Sequence, residues 1–150
     1  MPEYIKIGRA PAVLYGEPAE RAFLFVHGLC GNKEEAQRFA AVVNPLGWQV
    51  LAVELPEHNG RQDGVRLVPW EAVPELQNVR NYMKERWQTL GVRAVSLGAW
   101  LALQAFAGES VDYCLLSSPL LDMEKMICSM MAQAGISKER LRVEGLLSDE

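Results

Sequence analysis

Four short apolar runs, set apart by stretches of helical character, constrain this chain more than any other feature. They are "RAFLFVHG" (21–28), "WQVLAVEL" (48–55), "VRAVS" (92–96) and "VDYCLLSS" (111–118). In the first, apolar residues run without a break from Ala22 to Val26, which fits a strand covered on both faces, as in a parallel sheet. The intervening segments carry helical spacing instead. Ala36, Phe39, Ala40 and Val43 share one face, with Asn32 placed to cap the helix, Glu35 as its capping-box partner, and Pro45 and Gly47 to end it. A second helix is predicted over 74–90, with Leu76, Val79, Met83, Trp87 and Leu90 on one face and Gly91 as the stop. A third runs from Leu97 to Ala107 and closes on Gly108. Strands alternating with helices predict an α/β fold, a mainly parallel sheet with right-handed crossovers and helices on both faces.

The flanks fit that frame. "EYIKIGR" and "PAVLYGE" read as two short strands around Pro11, a hairpin. In the tail, Asp122 can cap a helix whose Met123, Met126, Ile127, Met130, Met131 and Ala134 form an apolar stripe ended by Gly135, and Ser137 can start another short helix. No linker, repeat or low-complexity segment interrupts the 150 residues, so one domain is expected over 1–150, with 120–150 as a helical segment. A chain of this length can bury about 70% of the surface its unfolded form exposes.

Charge excludes some functions. Fifteen basic against nineteen acidic residues leave a net charge of −4, with no basic stripe. Nucleic acid is therefore a poor partner. Cys30, Cys114 and Cys128 are odd in number and widely spaced, and the only histidines are His27 and His58. No metal site or other cofactor is expected, and the thiols fit a reducing cytoplasm. "MPEYIKIGRA" lacks the apolar centre of a signal peptide, and no run is long enough to span a membrane.

Ligands of open parallel sheets sit beyond the carboxyl ends of the strands. Three such ends here carry chemistry: "HGLCGN", "ELPEHNG" and "SLG". Ser96 falls where a strand turns directly into a helix, a turn that can lift its hydroxyl clear and aim the Leu97 N–H at a developing oxyanion. Ser96 could equally be a helix cap. The turn requires small residues two before and two after it; Gly98 meets the second need, while Ala94 adds a methyl at the first. In "HGLCG", Gly28 and Gly31 let backbone approach a substrate, and the Leu29 N–H is the expected second donor, ahead of Cys30. Each such donor is worth roughly 3 kcal/mol in a transition state. The two motifs together favour a serine nucleophile at Ser96 with oxyanion amides from Leu29 and Leu97. Gly28, Cys30 and Gly98 are then expected against the substrate.

These residues resemble those of α/β-hydrolases of the esterase, lipase and monoacylglycerol-lipase-like kind. The likeness covers the N-terminal and central part of such a fold, from the first hairpin to "SSPL". His27-Gly28 is similar to the family's HG motif after the third strand, "ELPEHNG" to its D-x-P-G-H-G-like segment after the fourth, and "AVSLG" to its nucleophile elbow after the fifth. The resemblance implies hydrolysis of a small carboxylic ester through an acyl-Ser96 intermediate, with His27 and His58 shaping loops and not acting as bases. The departures are Ala94, Glu54 for the usual Asp, and Glu57 and Asn59.

The family's acid and histidine follow its later strands, before which this chain ends. Some relatives place the acid after the sixth strand, where Asp122 and Glu124 stand, but helix capping suits Asp122 better. Loss of the triad histidine costs roughly a millionfold in turnover, so the chain alone is expected to be nearly inactive. Two other readings stay open. A non-catalytic protein could dimerise through the exposed edge strand 111–118 and bind a ligand or partner. An unrelated α/β binding module could use "SLG" only to hold an anion at a helix N-terminus.

Overall fold

The computed structural model describes residues 1–137 and residue 139. Contacts divide the chain into two compact units, Met1–Leu120 and Leu121–Glu150. The first holds strands β1 (Glu3–Ile7), β2 (Ala10–Tyr15), β3 (Arg21–Val26), β4 (Trp48–Val53), β5 (Thr89–Val95) and β6 (Tyr113–Ser117). Its helices are α1 (Ala36–Val43), α2 (Pro69–Lys84) and α3 (Leu97–Ala105), and short 3₁₀ turns at Lys33–Glu35 and Asn44–Leu46 flank α1. The second unit contains α4 (Met123–Gln133).

The strands form one sheet in the order β1-β2-β4-β3-β5-β6. β2 runs antiparallel to both neighbours, and β4, β3, β5 and β6 are mutually parallel. The mixed, mostly parallel sheet with helices on both faces is what the apolar runs predicted. Every residue of β4 is buried, as is all of β3 but Arg21. One face packs Phe23, Phe25, Val50 and Ala52 against Ala36, Ala40 and Val43 of α1. The other packs Leu24, Val26, Leu51 and Val53 against Leu76, Val79 and Met83 of α2 and Leu101, Ala102 and Ala105 of α3.

The order 4-3-5 has a functional consequence. From β3 the chain crosses to one side to make β4, then returns past β3 to make β5. The loops leaving the carboxyl ends of β3 and β5 therefore diverge, and a crevice at such a switch point is where open α/β sheets bind ligands.

Several boundaries differ from the sequence reading. The hairpin turns at Gly8, whose φ of 61° supplies the positive value a two-residue turn needs, and Pro11 lies inside β2. Asn32 makes no side-chain cap, because a 3₁₀ turn precedes α1 and only its backbone carbonyl is used, accepting from the Glu35 N–H. α2 starts at Pro69 and ends at Lys84, earlier than expected at both ends. Trp87 and Leu90 still reach the same core, one from a turn and the other from β5. Periodicity alone could not separate that continuation from a helix. Gly91 is no helix stop either: it sits within β5, where an added Cβ would lie 2.3 Å from the Phe23 ring.

In the second unit, Asp122 Oδ1 accepts from the Lys125 N–H at 2.9 Å and caps α4 as expected. No residue of α4 is buried. The helix expected to follow Ser137 falls on residues outside those described.

Candidate active site

A single residue separates β5 from α3, and it is Ser96. Its backbone angles are φ 50° and ψ −118°, the positive-φ region that side-chain-bearing residues rarely enter. The conformation is held by both backbone groups. The Ser96 N–H donates to Ser117 O at 3.0 Å, and its carbonyl accepts from Ala99 at 3.0 Å and Leu120 at 3.2 Å. The side chain makes no cap bond to α3. A relaxed helix cap would have extended backbone angles and a hydroxyl bonded to the first turn, and Ser96 has neither.

Among the described residues, four other non-glycine residues have positive φ: Cys30 (64°), Glu57 (60°), Asn59 (49°) and Ser118 (44°). They follow β3, β4 and β6, so all five strained residues lie at the carboxyl end of the sheet. Each such conformation costs on the order of 1–3 kcal/mol, and clustering of this kind is typical of functional sites.

The turn is as tight as the sequence required. A Cβ on Gly98 would lie 2.1 Å from His27 O and 2.8 Å from Val26 O, so the start of α3 presses directly on the end of β3. One on Gly28 would lie 3.3 Å from Ser96 Cβ, which puts the loop after β3 against the serine. Ala94, the departure from the glycine pattern, is fully buried in the core on the α2–α3 side, so its methyl is absorbed there.

Gly31 N–H bonds back to Gly28 O at 3.0 Å, folding "GLCG" into a tight turn. Within it the Cys30 N–H is taken by His58 Nε2 at 3.0 Å. Among the described residues no group accepts from the Leu29 or Leu97 N–H. Leu29 itself is exposed, as is the Cys30 side chain.

Beneath the loop lies a buried charged cluster. Glu54, 1% exposed, accepts at Oε2 from Lys33 Nζ (3.1 Å) and Asn59 Nδ2 (3.0 Å), and its Oε1 lies 2.9 Å from His27 Nε2. Burial alone would raise the Glu54 carboxyl; the His27, Asn59 and Lys33 groups facing it outweigh that and hold it down at about 2. Lys33 is held above its ordinary value in turn: burial would lower it, but Glu34 and Glu54 prevail. The loop after β4 is stapled by Arg61, whose guanidinium bonds Glu75 of α2 through two nitrogens (2.9 and 2.7 Å), Asp63 (2.9 Å) and Glu54 O (2.8 Å). Sequence reasoning did not find Lys33, Arg61 or Glu75. Lys33 meets Glu54 across 21 residues and Arg61 meets Glu75 across 14, and no short motif links them.

The structure thus brings Ser96, Leu97 and Gly98 together with His27, Gly28 and the loop carrying Leu29 and Cys30. Asp122, in the other unit, is engaged as a helix cap. Among the described residues no group of His, Cys, Asp and Glu could hold a metal ion, and no helix is long and apolar enough to cross a membrane.

No family model matches the chain, and no curated protein sequence does. Solved structures do. A thioesterase domain from the curacin biosynthetic pathway superposes with a TM-score of 0.65 at 18% identity, covering 89% of this chain and 51% of that one. An esterase from Pyrococcus furiosus gives 0.69 at 14%, covering 93% and 56%. Epoxide hydrolase A from Mycobacterium thermoresistibile gives 0.67 at 12%, covering 90% and 45%. Over most of its length the chain has the α/β-hydrolase fold, and it spans about half the length of these structures.

Proposed function

We propose that the chain is the nucleophile-bearing part of a serine hydrolase acting on small carboxylic esters. The observation that carries this reading is the backbone of Ser96, held at φ 50° between β5 and α3 with no cap bond to relax it. In this reading the Ser96 hydroxyl attacks the ester carbonyl and the alcohol leaves, giving an acyl-serine that water then cleaves. The Leu29 and Leu97 N–H groups, which have no described acceptor, stabilise the oxyanion, while Gly28, Cys30 and Gly98 flank the acyl group. The structures it resembles include an esterase and a thioesterase domain, in keeping with acyl transfer.

The reaction needs a base, and among the described residues none stands free for that role. Both histidines have their ring nitrogens engaged, and Asp122 caps α4. The chain by itself is therefore expected to turn over ester hardly at all.

Exposure to an alkyl fluorophosphonate, with adducts located by mass spectrometry, tests the assignment. Slow phosphonylation of Ser96 is expected, accelerated by added imidazole acting as the missing base and abolished in Ser96→Ala. Equal labelling of Ser96→Ala, or no adduct even with imidazole, would count against it.

A second reading has its own support. β6 is the sheet edge among the described residues, and Tyr113 and Leu115 on it are 53% and 46% exposed. An open apolar edge can pair with a second copy of the chain.

A further inference from the structure

Arg93 is the one charged residue of β5, a strand with β3 on one side and β6 on the other. It is half-buried, and taking a guanidinium out of water costs free energy unless its N–H groups find acceptors. Among the described residues no carboxylate pairs with its charge. Its donors go to neutral oxygens instead. One terminal nitrogen reaches the Ala94 carbonyl of its own strand (3.3 Å), and the other reaches the Ser117 hydroxyl at the end of β6 (2.9 Å). The guanidinium lies 5.9 Å from the Phe39 ring of α1, on the face of the sheet that α1 covers.

Ser117 is also the residue whose carbonyl accepts the Ser96 N–H, at 3.0 Å. A little further on, the Leu120 N–H donates to the Ser96 carbonyl, at 3.2 Å. The segment 117–120 thus grips both backbone groups of Ser96. Between the two bonds stands Ser118 at φ 44°, immediately before Pro119, a second non-glycine residue in the positive-φ region. The two strained residues hold each other, and neither relaxes without giving up these bonds. Such a bracket needs an anchor. β6, which carries it, has only β5 as a neighbour among the described residues, and the end of an edge strand opens readily. Arg93 ties that end to a strand paired on both sides.

We propose that Arg93 is a positioning residue for Ser96: by holding Ser117 it fixes the 117–120 bracket that keeps the serine at positive φ. It acts through two hydrogen bonds in series, from Arg93 to the Ser117 side chain and from the Ser96 N–H to the Ser117 carbonyl. The planar fork of arginine suits the task, since one group spans the Ala94 carbonyl and the Ser117 hydroxyl at once. A lysine has the charge but cannot span both. That a loosened Ser96 reacts more slowly rests on the hydrolase reading; the bracket itself does not.

Amide hydrogen exchange on the whole 150-residue chain tests the bracket. In Arg93→Met, which keeps an apolar stem but has no donor, protection of the Ser96 and Leu120 N–H groups should fall roughly tenfold, about the worth of one hydrogen bond. Leu24 in β3 should keep its protection. Ser117→Ala, which retains Arg93 and the Ser117 carbonyl, should give the same local loss, and Arg93→Lys, with one donor group left, should recover part of it. In fluorophosphonate labelling with imidazole, the maximal rate at Ser96 should fall by a similar factor in Arg93→Met while the half-saturating reagent concentration holds. A merely structural role would not give that split. Unchanged protection of Ser96 and Leu120 in Arg93→Met and Ser117→Ala would overturn the proposal, as would an equal loss at Leu24. A labelling rate that holds despite lost protection would overturn the positioning role. If Arg93→Met does not fold, Ser117→Ala decides by exchange. A parent chain that is never labelled removes the hydrolase reading and leaves exchange to judge the bracket; unaltered exchange removes the bracket and leaves the labelling of Ser96 standing.

Discussion

Glu54 shows how one side chain ties several segments together. Its oxygens reach His27, Lys33 and Asn59, its carbonyl takes an Arg61 nitrogen, and its N–H donates to Pro11 O at 2.8 Å. Because its carboxyl is held at about 2 in the folded chain, against an ordinary 4.5, the charged form is favoured by folding. That stabilisation is complete above about pH 4.5 and is lost as pH falls toward about 2. Glu54→Gln should therefore lose on the order of 3 kcal/mol at neutral pH and show a flatter decline in acid. Urea unfolding between pH 7 and pH 3 measures both. A variant as acid-sensitive as the parent would show that other carboxylates control the decline.

At the scale of elements, Arg61 ties the loop from Pro56 to Val68 to α2. Its guanidinium side chain is 2% exposed and lies between the loop and Glu75 of α2. Removing Glu75 leaves the buried guanidinium with Asp63 as its carboxylate partner, so the loss is that of charge-assisted hydrogen bonds, about 1.5–3 kcal/mol. Glu75→Gln should fall in that range by denaturant unfolding. Arg61→Met with Glu75→Leu together should cost markedly less than the two single changes summed, and an additive pair would refute the coupling. The α3 element depends on Gly98 in a different way, through the close approach of its first turn to β3. The motif "SLG" signalled that approach in advance. Nothing in the sequence signalled Gly91, whose missing side chain makes room for Phe23. A strand glycine reads the same whether it ends a helix or clears space for a ring.

For the molecule as a whole, the sheet closes on one side with the β1–β2 hairpin and on the other with β6. The hairpin edge carries the charged residues Glu3 and Lys6, which discourage pairing; Tyr113, Cys114 and Leu115 on β6 carry no charge. If a second copy pairs there, sedimentation should show mass rising with protein concentration, and Leu115→Lys should keep the chain monomeric. Concentration-independent monomers of the parent would remove the dimer reading.

The amino-acid order by itself determined the alternation of strands and helices, the sheet class and the three loops that leave the carboxyl ends of β3, β4 and β5. Those follow from local spacing: apolar runs for covered strands, 3.6-residue faces for helices, glycines where backbone comes close. Helix limits were less legible, because Trp87 and Leu90 continue a helical spacing into a turn and a strand. Only the tertiary structure decided that Ser96 is held at positive φ by Ser117 and Leu120, that Glu54 meets Lys33, and that His27 bonds Leu55 and His58 bonds Cys30. These contacts join residues 21 to 28 positions apart. Such pairings are created when β4, β3 and β5 line up side by side, and no local pattern in the chain encodes them.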